Sequence, residues 1–196
     1  MDILLISAYF PPDTGSASHL IYELGKSLNQ RGHKVTVLTS LPGYHPMGDL
    51  GKYKRKLWIC EEFEGLNVVR VASIRLPRRL IFGRALWQFL LAITTLVAGL
   101  IMSKRDVCVV YSPPLPLGLS AWLIRMFKKT PFVFNVQDLF PHNLLETGLM
   151  KKGIIFSIFE KLERSIYTRA DWITVHAESN VKHILNRGGI ASKISA

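Results

Sequence analysis

Asn135, Gln137, Asp138, His142 and Asn143 form the densest group of chemically versatile side chains in the sequence, and they follow directly on the apolar run Phe132-Val133-Phe134. With Pro141 stiffening the turn, a carboxylate and an imidazole at the end of a strand can orient hydroxyl groups or assist a proton transfer. The same residues also fit a structural use, as an Asx-turn and a helix cap. A second pair, His176 and Glu178, follows the apolar run that ends at Val175. Glu178 either faces a substrate or steadies the first turn of the next helix. Near the amino terminus, Gly15 and Ser16 stand just before a helical pattern, where backbone N–H groups could meet an anion. An ordinary helix start explains them as well, and neither the GxGxxG nor the Walker A spacing is present.

Other reactive residue types are dispersed. His19, His33, His45 and His183 show no HxxH, HExxH or Cys/His ligand spacing, so no metal site is expected. Cys60 and Cys108 both adjoin strand-like segments and read as small apolar residues of a reducing compartment, with no disulfide framework. Asp106 and Asp171 immediately precede apolar runs, which places them at the opposite end of the strands from the groups above and in a structural role.

The elements that must position these residues alternate along the chain. Aliphatic residues 3–6 predict a buried strand, followed by a turn-rich loop at its carboxyl end. Leu20, Ile21, Leu24 and Leu28 recur at helical spacing, and Arg31-Gly32 ends that helix. Strand 35–39 completes a βαβ unit, which should be right-handed. Residues 47–56 read as poorly ordered, and 58–61 with 66–71 as an edge hairpin. A long helix over about 81–102 then leads to strand 106–111, helix 117–127 and strand 132–136. A loop over about 137–151 precedes a helix through Ile155, Phe159, Leu162 and Ile166, a strand at 172–175 and a helix over about 179–186. Another strand is due after that helix and its Gly188-Gly189 exit, just where the sequence stops at Lys193-Ile194-Ser195-Ala196. Six main strand candidates with intervening helices favour an α/β fold, a Rossmann-like, doubly wound, mostly parallel sheet with helices on both faces. In such sheets ligands bind beyond the carboxyl ends of the strands, so the candidate groups above should share one rim.

Composition narrows the function classes. The 196 residues are 48% hydrophobic and 20% charged, which suits one domain with a substantial core and excludes a disordered basic tail. Residues 50–84 hold nine basic side chains, Arg70, Arg75, Arg78, Arg79 and Arg84 among them, against Glu61, Glu62 and Glu64, and so carry +6 of the net charge of +11. Such a patch attracts anionic lipid, a phosphorylated acceptor or nucleic acid, or merely solubilises a face. Nucleic acid fits worst, because no interleaved aromatics or binding motif accompany the patch. Its position before Leu80-Ile81-Phe82 and the apolar segment 87–102 favours lipid. That segment falls short of the roughly 20 residues of a spanning helix. It either packs on the sheet or lies at a membrane surface. The amino terminus lacks a basic leader and a signal-length apolar run, so a cytoplasmic location is expected.

Tyr9-Phe10-Pro11-Pro12-Asp13-Thr14-Gly15-Ser16 and Arg31-Gly32-His33-Lys34-Val35-Thr36-Val37, with three later stretches, carry a recognisable pattern. Those stretches are Ser112-Pro113-Pro114-Leu115-Pro116-Leu117-Gly118, Phe134-Asn135-Val136-Gln137-Asp138-Leu139-Phe140-Pro141 and Ala170-Asp171-Trp172-Ile173-Thr174-Val175. Together they resemble family-4 glycosyltransferases of the GT-B fold, especially members that build bacterial capsule, O-antigen or exopolysaccharide units. The resemblance implies a retaining transferase, for a hexosyl or N-acetylaminosugar unit, that takes its sugar from a nucleotide-diphosphate donor and needs neither a metal nor another cofactor. Gly15 and Ser16 would approach the donor phosphates, although many relatives have a second glycine in place of Ser16. Asp138 inherits an active-site role. Gln137 stands where several relatives carry histidine and is left to bind hydroxyls, since glutamine transfers no proton. His142, His176 and Glu178 would face the acceptor or the cleft between domains.

The same resemblance implies that residues 1–196 are the amino-terminal, acceptor-side domain and that the nucleotide-sugar-binding domain lies outside this chain. Alone, the chain is then expected to be inactive. The expected partners are the nucleotide sugar, held through that second domain, a polyprenyl-diphosphate-linked acceptor and an anionic membrane surface, with no nucleic acid. The expected location is the inner face of the plasma membrane, as a peripheral protein. The alternative is a non-catalytic module that binds a membrane or a separate carboxyl-terminal subunit.

Overall fold

The computed structural model describes residues 1–43, 46–73 and 81–196, except for the side chains of Ile81, Phe82 and Arg84. Strand β1 (Asp2–Ile6) lies at the centre of an eight-stranded sheet. Helix α1 (Ser16–Gln30) leads to β2 (Lys34–Ser40), and the hairpin β3 (Trp58–Phe63) with β4 (Leu66–Val71) forms one edge. The chain then returns across the sheet through α2 (Ile81–Ile101) to β5 (Val107–Ser112). It continues outward through α3 (Pro116–Lys128), β6 (Phe132–Val136), α4 (His142–Glu146), α5 (Ile154–Arg169), β7 (Trp172–Val175), α6 (Glu178–Asn186) and β8 (Ile194–Ser195). The strand order is β3-β4-β2-β1-β5-β6-β7-β8, and every neighbouring pair is parallel except β3 with β4. This is a Rossmann-like α/β sheet flanked by helices, as the alternation predicts.

Side-chain alternation along the strands builds two cores. Leu4, Ile6, Leu38, Cys108, Val110 and Phe134 face one side, where α2, α3, α5 and α6 pack. Ile3, Leu5, Val35, Val37 and Val68 face the other, beneath α1. Helix α2 approaches α3 so closely that a Cβ on Gly99 would stand 2.3 Å from Ile124 Cδ1. The Ser120 hydroxyl joins the two helices by donating to the Ala92 carbonyl at 2.7 Å. The outer face of α2 stays exposed at Leu86, Ile93, Val97 and Ile101. Among the described residues no helix is long and apolar enough to cross a membrane.

The amino ends of the strands are tied together by the aspartates that the sequence assigns to structure. Asp106 accepts a hydrogen bond from Asp2 N at 2.7 Å, and Asp2 pairs with Arg105 at 2.6 Å. Asp171 takes two hydrogen bonds from Arg125, at 2.6 and 2.8 Å, and one from Phe132 N at 3.0 Å. Burial works against the Asp171 charge, but Arg125 and the Phe132 N–H outweigh it and hold the carboxyl below its ordinary range.

Four expectations need correction. Residues 47–56 contain a 3-10 turn, Gly51–Tyr53, because the buried Tyr53 ring anchors them. The loop over 137–151 contains α4, whose Leu144 packs on the main core. Cys108 is buried, but Cys60 is exposed, because its strand β3 is a half-covered edge. Arg70 leaves the proposed surface patch: it shares the face of Leu66 and Val68 and is fully buried. Arg75, Arg78, Arg79, the Arg84 side chain, and Tyr44 and His45 of the Pro42-to-Pro46 turn lie outside the described residues.

Arg70 holds an edge of the sheet to the first loop. Its Nε donates to Glu61 Oε1 at 2.5 Å and its Nη2 to the Pro11 carbonyl, while the Tyr53 ring lies 5.3 Å from the guanidinium. Glu61 also accepts from Lys52 at 2.7 Å and from the Tyr53 hydroxyl at 3.0 Å. Burial pushes the Glu61 carboxyl upward, but the hydrogen bonds from Lys52 and Arg70 prevail and hold it below its ordinary value of 4.5. Glu61→Ala leaves the guanidinium buried without its counter-ion and is expected to cost about 3–5 kcal/mol, read from urea unfolding. Because the folded pKa is depressed, the contribution of the pair is fully present above about pH 4.5 and fades as pH falls through the lower folded value. The acid limb of the stability curve should therefore be flatter in Glu61→Ala than in the wild type. Equal acid slopes would place the acid sensitivity elsewhere.

Candidate functional site

The carboxyl ends of β1 and β5 are neighbours in the sheet, yet the chain leaves β1 toward β2 and leaves β5 toward β6. Their loops diverge at this reversal of strand order, which is where open α/β sheets hold ligands. A cavity of about 470 Å³ lies here, within the usual range for small-molecule sites. Tyr9 enters it from the β1 loop, Pro113 and Pro114 from the β5 loop, and Asp138 and Phe140 from the β6 loop. The first turns of α2 contribute Trp87 and Gln88, and α4 contributes Asn143 and Leu144. The Tyr9 and Trp87 rings stack with centroids 6.3 Å apart, and Phe140 meets Phe159 edge to face at 4.8 Å.

Asp138 is exposed, and its carboxylate makes no hydrogen bond or ion pair among the described residues. Helix α4 has Pro141 at its N-cap with no side-chain cap, so Asp138 is not spent on capping. Burial, and then the Asp138 charge, raise the Tyr111 phenol above its ordinary range. Gln137 is not among the cavity residues: its Nε2 donates to Asn135 Oδ1 at 2.7 Å, and Asn135 Nδ2 donates to Thr174 Oγ1 at 2.8 Å. This polar ladder joins β6 to β7 and leads to the cavity through the adjacent Asp138.

His142 turns toward α5 and α6 rather than into the cavity. Its ring stacks 6.2 Å from Phe156 and lies 5.0 Å from the His183 ring. Behind it stands Glu163, which is fully buried and which sequence reasoning missed. Glu163 meets His183 Nε2 at 3.0 Å, Arg187 at 3.0 Å and the Tyr167 hydroxyl at 3.1 Å. Its i, i+4 spacing to Tyr167 was a legible signal, but nothing in the chain marks it as buried. Tyr9, Trp87 and Gln88 were missed as site residues too. The one available hint was Gln88, an isolated amide at the start of an apolar helix.

His176 and Glu178 remain exposed on the same rim, with Glu178 in the first turn of α6. Gly15 and Ser16 are also exposed, and α1 starts there without a side-chain cap. Helix α1 thus starts at an exposed glycine that offers no capping side chain, a setting suited to a negative charge. Asp13, itself buried, accepts from Gly43 N at 2.9 Å and binds the Ser18 hydroxyl through its carbonyl at 2.6 Å. The β1 loop is thereby fastened to the β2 loop and to α1. Among the described residues no group of three or more His, Cys, Asp or Glu side chains could hold a metal ion.

Gly15 has φ 135° and ψ 164°, a region open essentially only to glycine. Gly15→Ala is expected to cost about 1–3 kcal/mol, measured by urea unfolding. A loss near zero would show that the entry into α1 relaxes freely.

Comparison with known proteins agrees with this architecture. A family model described as a glycosyl transferase 4-like domain matches residues 15–195. Sucrose-phosphate synthase from Thermosynechococcus elongatus superposes with a TM-score of 0.71 at 14% identity, over 99% of this chain and 47% of that one. Anabaena HepE in complex with UDP and glucose gives a TM-score of 0.54 at 14% identity, over 100% of this chain and 43% of that one. The catalytic domain of starch synthase IV from Arabidopsis thaliana, bound to ADP and acarbose, gives 0.58 at 14% identity, over 98% and 50%. The chain spans about half the length of these structures, and at such identities the likeness concerns the fold. No curated protein matches the sequence.

Proposed function

This chain belongs to the glycosyl transferase 4-like domain family, and from that premise we propose that it forms the acceptor-side half of a glycosyltransferase. The donor is a nucleotide-diphosphate sugar, held mainly by a second domain that closes over the carboxyl rim. The observation that carries this reading is the cavity at the reversal of strand order, with the Asp138 carboxylate, unpaired among the described residues, at its edge. Asp138 accepts a hydrogen bond from the attacking acceptor hydroxyl and orients it. The uncapped start of α1 at Gly15 and Ser16 faces the charge of the donor diphosphate. Gln137, His176 and Glu178 belong to the rim that meets the second domain. His142 supports it from behind, through its packing against Phe156 and His183.

The transfer proceeds with retention, and its acceptor is a lipid-linked or free saccharide of surface polysaccharide synthesis, as in the enzymes whose motifs this chain resembles. Peripheral attachment to the inner face of the plasma membrane follows the same reading. The exposed apolar residues Leu86, Ile93, Val97 and Ile101 on one face of α2 support it, as does the net charge of +11.

The test is sugar transfer by the full-length gene product and by the 196-residue chain, with a panel of nucleotide sugars and a lipid-diphosphate acceptor. The full-length protein should turn over and the chain alone should be silent, because half a cleft cannot stabilise the departing diphosphate. Asp138→Ala in the full-length protein should lower kcat by about 100-fold or more. Turnover by the isolated chain would overturn the two-domain site, and undiminished kcat in Asp138→Ala would remove that residue from the chemistry.

A further inference from the structure

We propose that the free edge of β3 pairs antiparallel with β3 of a second copy of this chain, joining two sheets into one about a two-fold axis at Ile59. Among the described residues β4 is the one partner of β3, so the other edge of this strand is open. The Leu57 carbonyl accepts from Ala72 N at 2.8 Å, which sets the alternation of the ladder. Ile59, Glu61 and Phe63 therefore spend their N–H and C=O groups on β4, while those of Trp58, Cys60 and Glu62 point outward. An edge of this kind is a template for another strand unless something repels it.

Charge decides which strand it takes. Charged side chains ordinarily keep edge strands apart, but here the two signs are segregated along the strand. Lys56 stands at its start and Glu62 near its end, both exposed, and among the described residues neither has an ion-pair partner. Along extended chain they stand about 20 Å apart, too far to pair within one copy. Antiparallel pairing centred on Ile59 sets Lys56 of each copy opposite Glu62 of the other, and Trp58 of each opposite Cys60 of the other. Registers shifted by two residues lose this match. One needs Lys54, which lies beyond the positive φ of Arg55 (57°), and the other needs Glu64, which sits in the hairpin turn at φ 48° and accepts from the Tyr22 hydroxyl. Parallel pairing in register would set like charges side by side.

Burial works in the same direction. Leu57 is 80% exposed and Trp58 36%, and a second strand covers apolar area that is otherwise left in water. Trp58 Nε1 donates to Cys60 Sγ of its own strand at 3.1 Å, so the indole already lies along the edge. Val71 and Val69, which face Trp58 and Cys60 across the hairpin, belong to the core beneath α2. Opposed residues share a face, so the joined sheet carries both α2 helices on one side.

The experiment follows the mass of the 196-residue chain by sedimentation equilibrium over a concentration series. The wild type should form a dimer. Glu62→Lys and Lys56→Glu should each weaken association about tenfold or more, because each sets two like-charged pairs across the joint. The doubly substituted chain, and an equimolar mixture of the two single variants, restore opposite charges at every pair and should dimerise like the wild type. Both positions are exposed, so the variants should melt with the wild type at dilutions where all are monomers, which separates loss of the dimer from unfolding. A wild type that stays monomeric, dimers unmoved by either single substitution, or no recovery in the double variant and the mixture would overturn the proposal. So would a dimer that survives both charge variants and dissociates in Ile93→Ser, since its joint would then lie on the exposed face of α2.

Discussion

Everything in this molecule is arranged around β1, which is paired in parallel on both sides and buried on both faces. The chain winds away from it in one direction through β2 and β4, then crosses back and winds in the other through β5, β6 and β7. Right-handed crossovers place α1 on one face and the later helices on the other. At the carboxyl ends of β1 and β5 the two windings part, and no crossover helix can fill the gap between them. The cavity follows from this topology, while its lining is a matter of sequence.

The two ends of the sheet are treated oppositely. At the amino rim, Asp2, Asp106 and Asp171 are consumed by Arg105, Arg125 and backbone N–H groups. At the carboxyl rim, Asp138 is unpaired among the described residues, α1 begins without a side-chain cap, and Gln88 and Asn143 hold unsatisfied oxygens. Two buried ionic clusters steady the elements behind this rim. Arg70 with Glu61 holds Pro11 of the first loop, and Glu163 with His183 and Arg187 joins α5 to α6 behind α4. Each leaves a buried charge if one partner is removed, so each fixes geometry more than it adds stability.

The strands and helices were legible because their apolar periodicities are strong. Residues 3–6 and 132–136 could only be buried strands in an alternating α/β chain, and the rim position of Asp138, His176 and Glu178 followed from strand direction. What failed depended on contacts distant in sequence. Arg70 looked like one more member of a basic patch, and only the loop at Phe10 and Pro11 and the ring of Tyr53 reveal it as a core residue. The packing of His142 on Phe156, which leaves the cavity to Asn143 and Leu144, had no local signature either. Tyr9 and Trp87 come from segments far apart in the chain, and their stacking is a tertiary fact with no local signature.

Helix α2 shows how one apolar sequence can serve two surroundings. Trp87, Leu91 and Ala98 face the core, and Gln88 stands on that side at the edge of the cavity. Leu86, Ile93, Val97 and Ile101 repeat at spacings of seven and four along the opposite stripe, and they stay exposed. A helix packed only on a sheet gains nothing from the second stripe, because apolar area left in water contributes no burial energy. If the function proposed above holds, the outer stripe would meet a lipid surface while the inner one packs the core beside the cavity. The helix would then set the distance between the membrane and the cavity. Polar substitutions on the outer stripe would weaken docking while leaving the lining of the cavity intact.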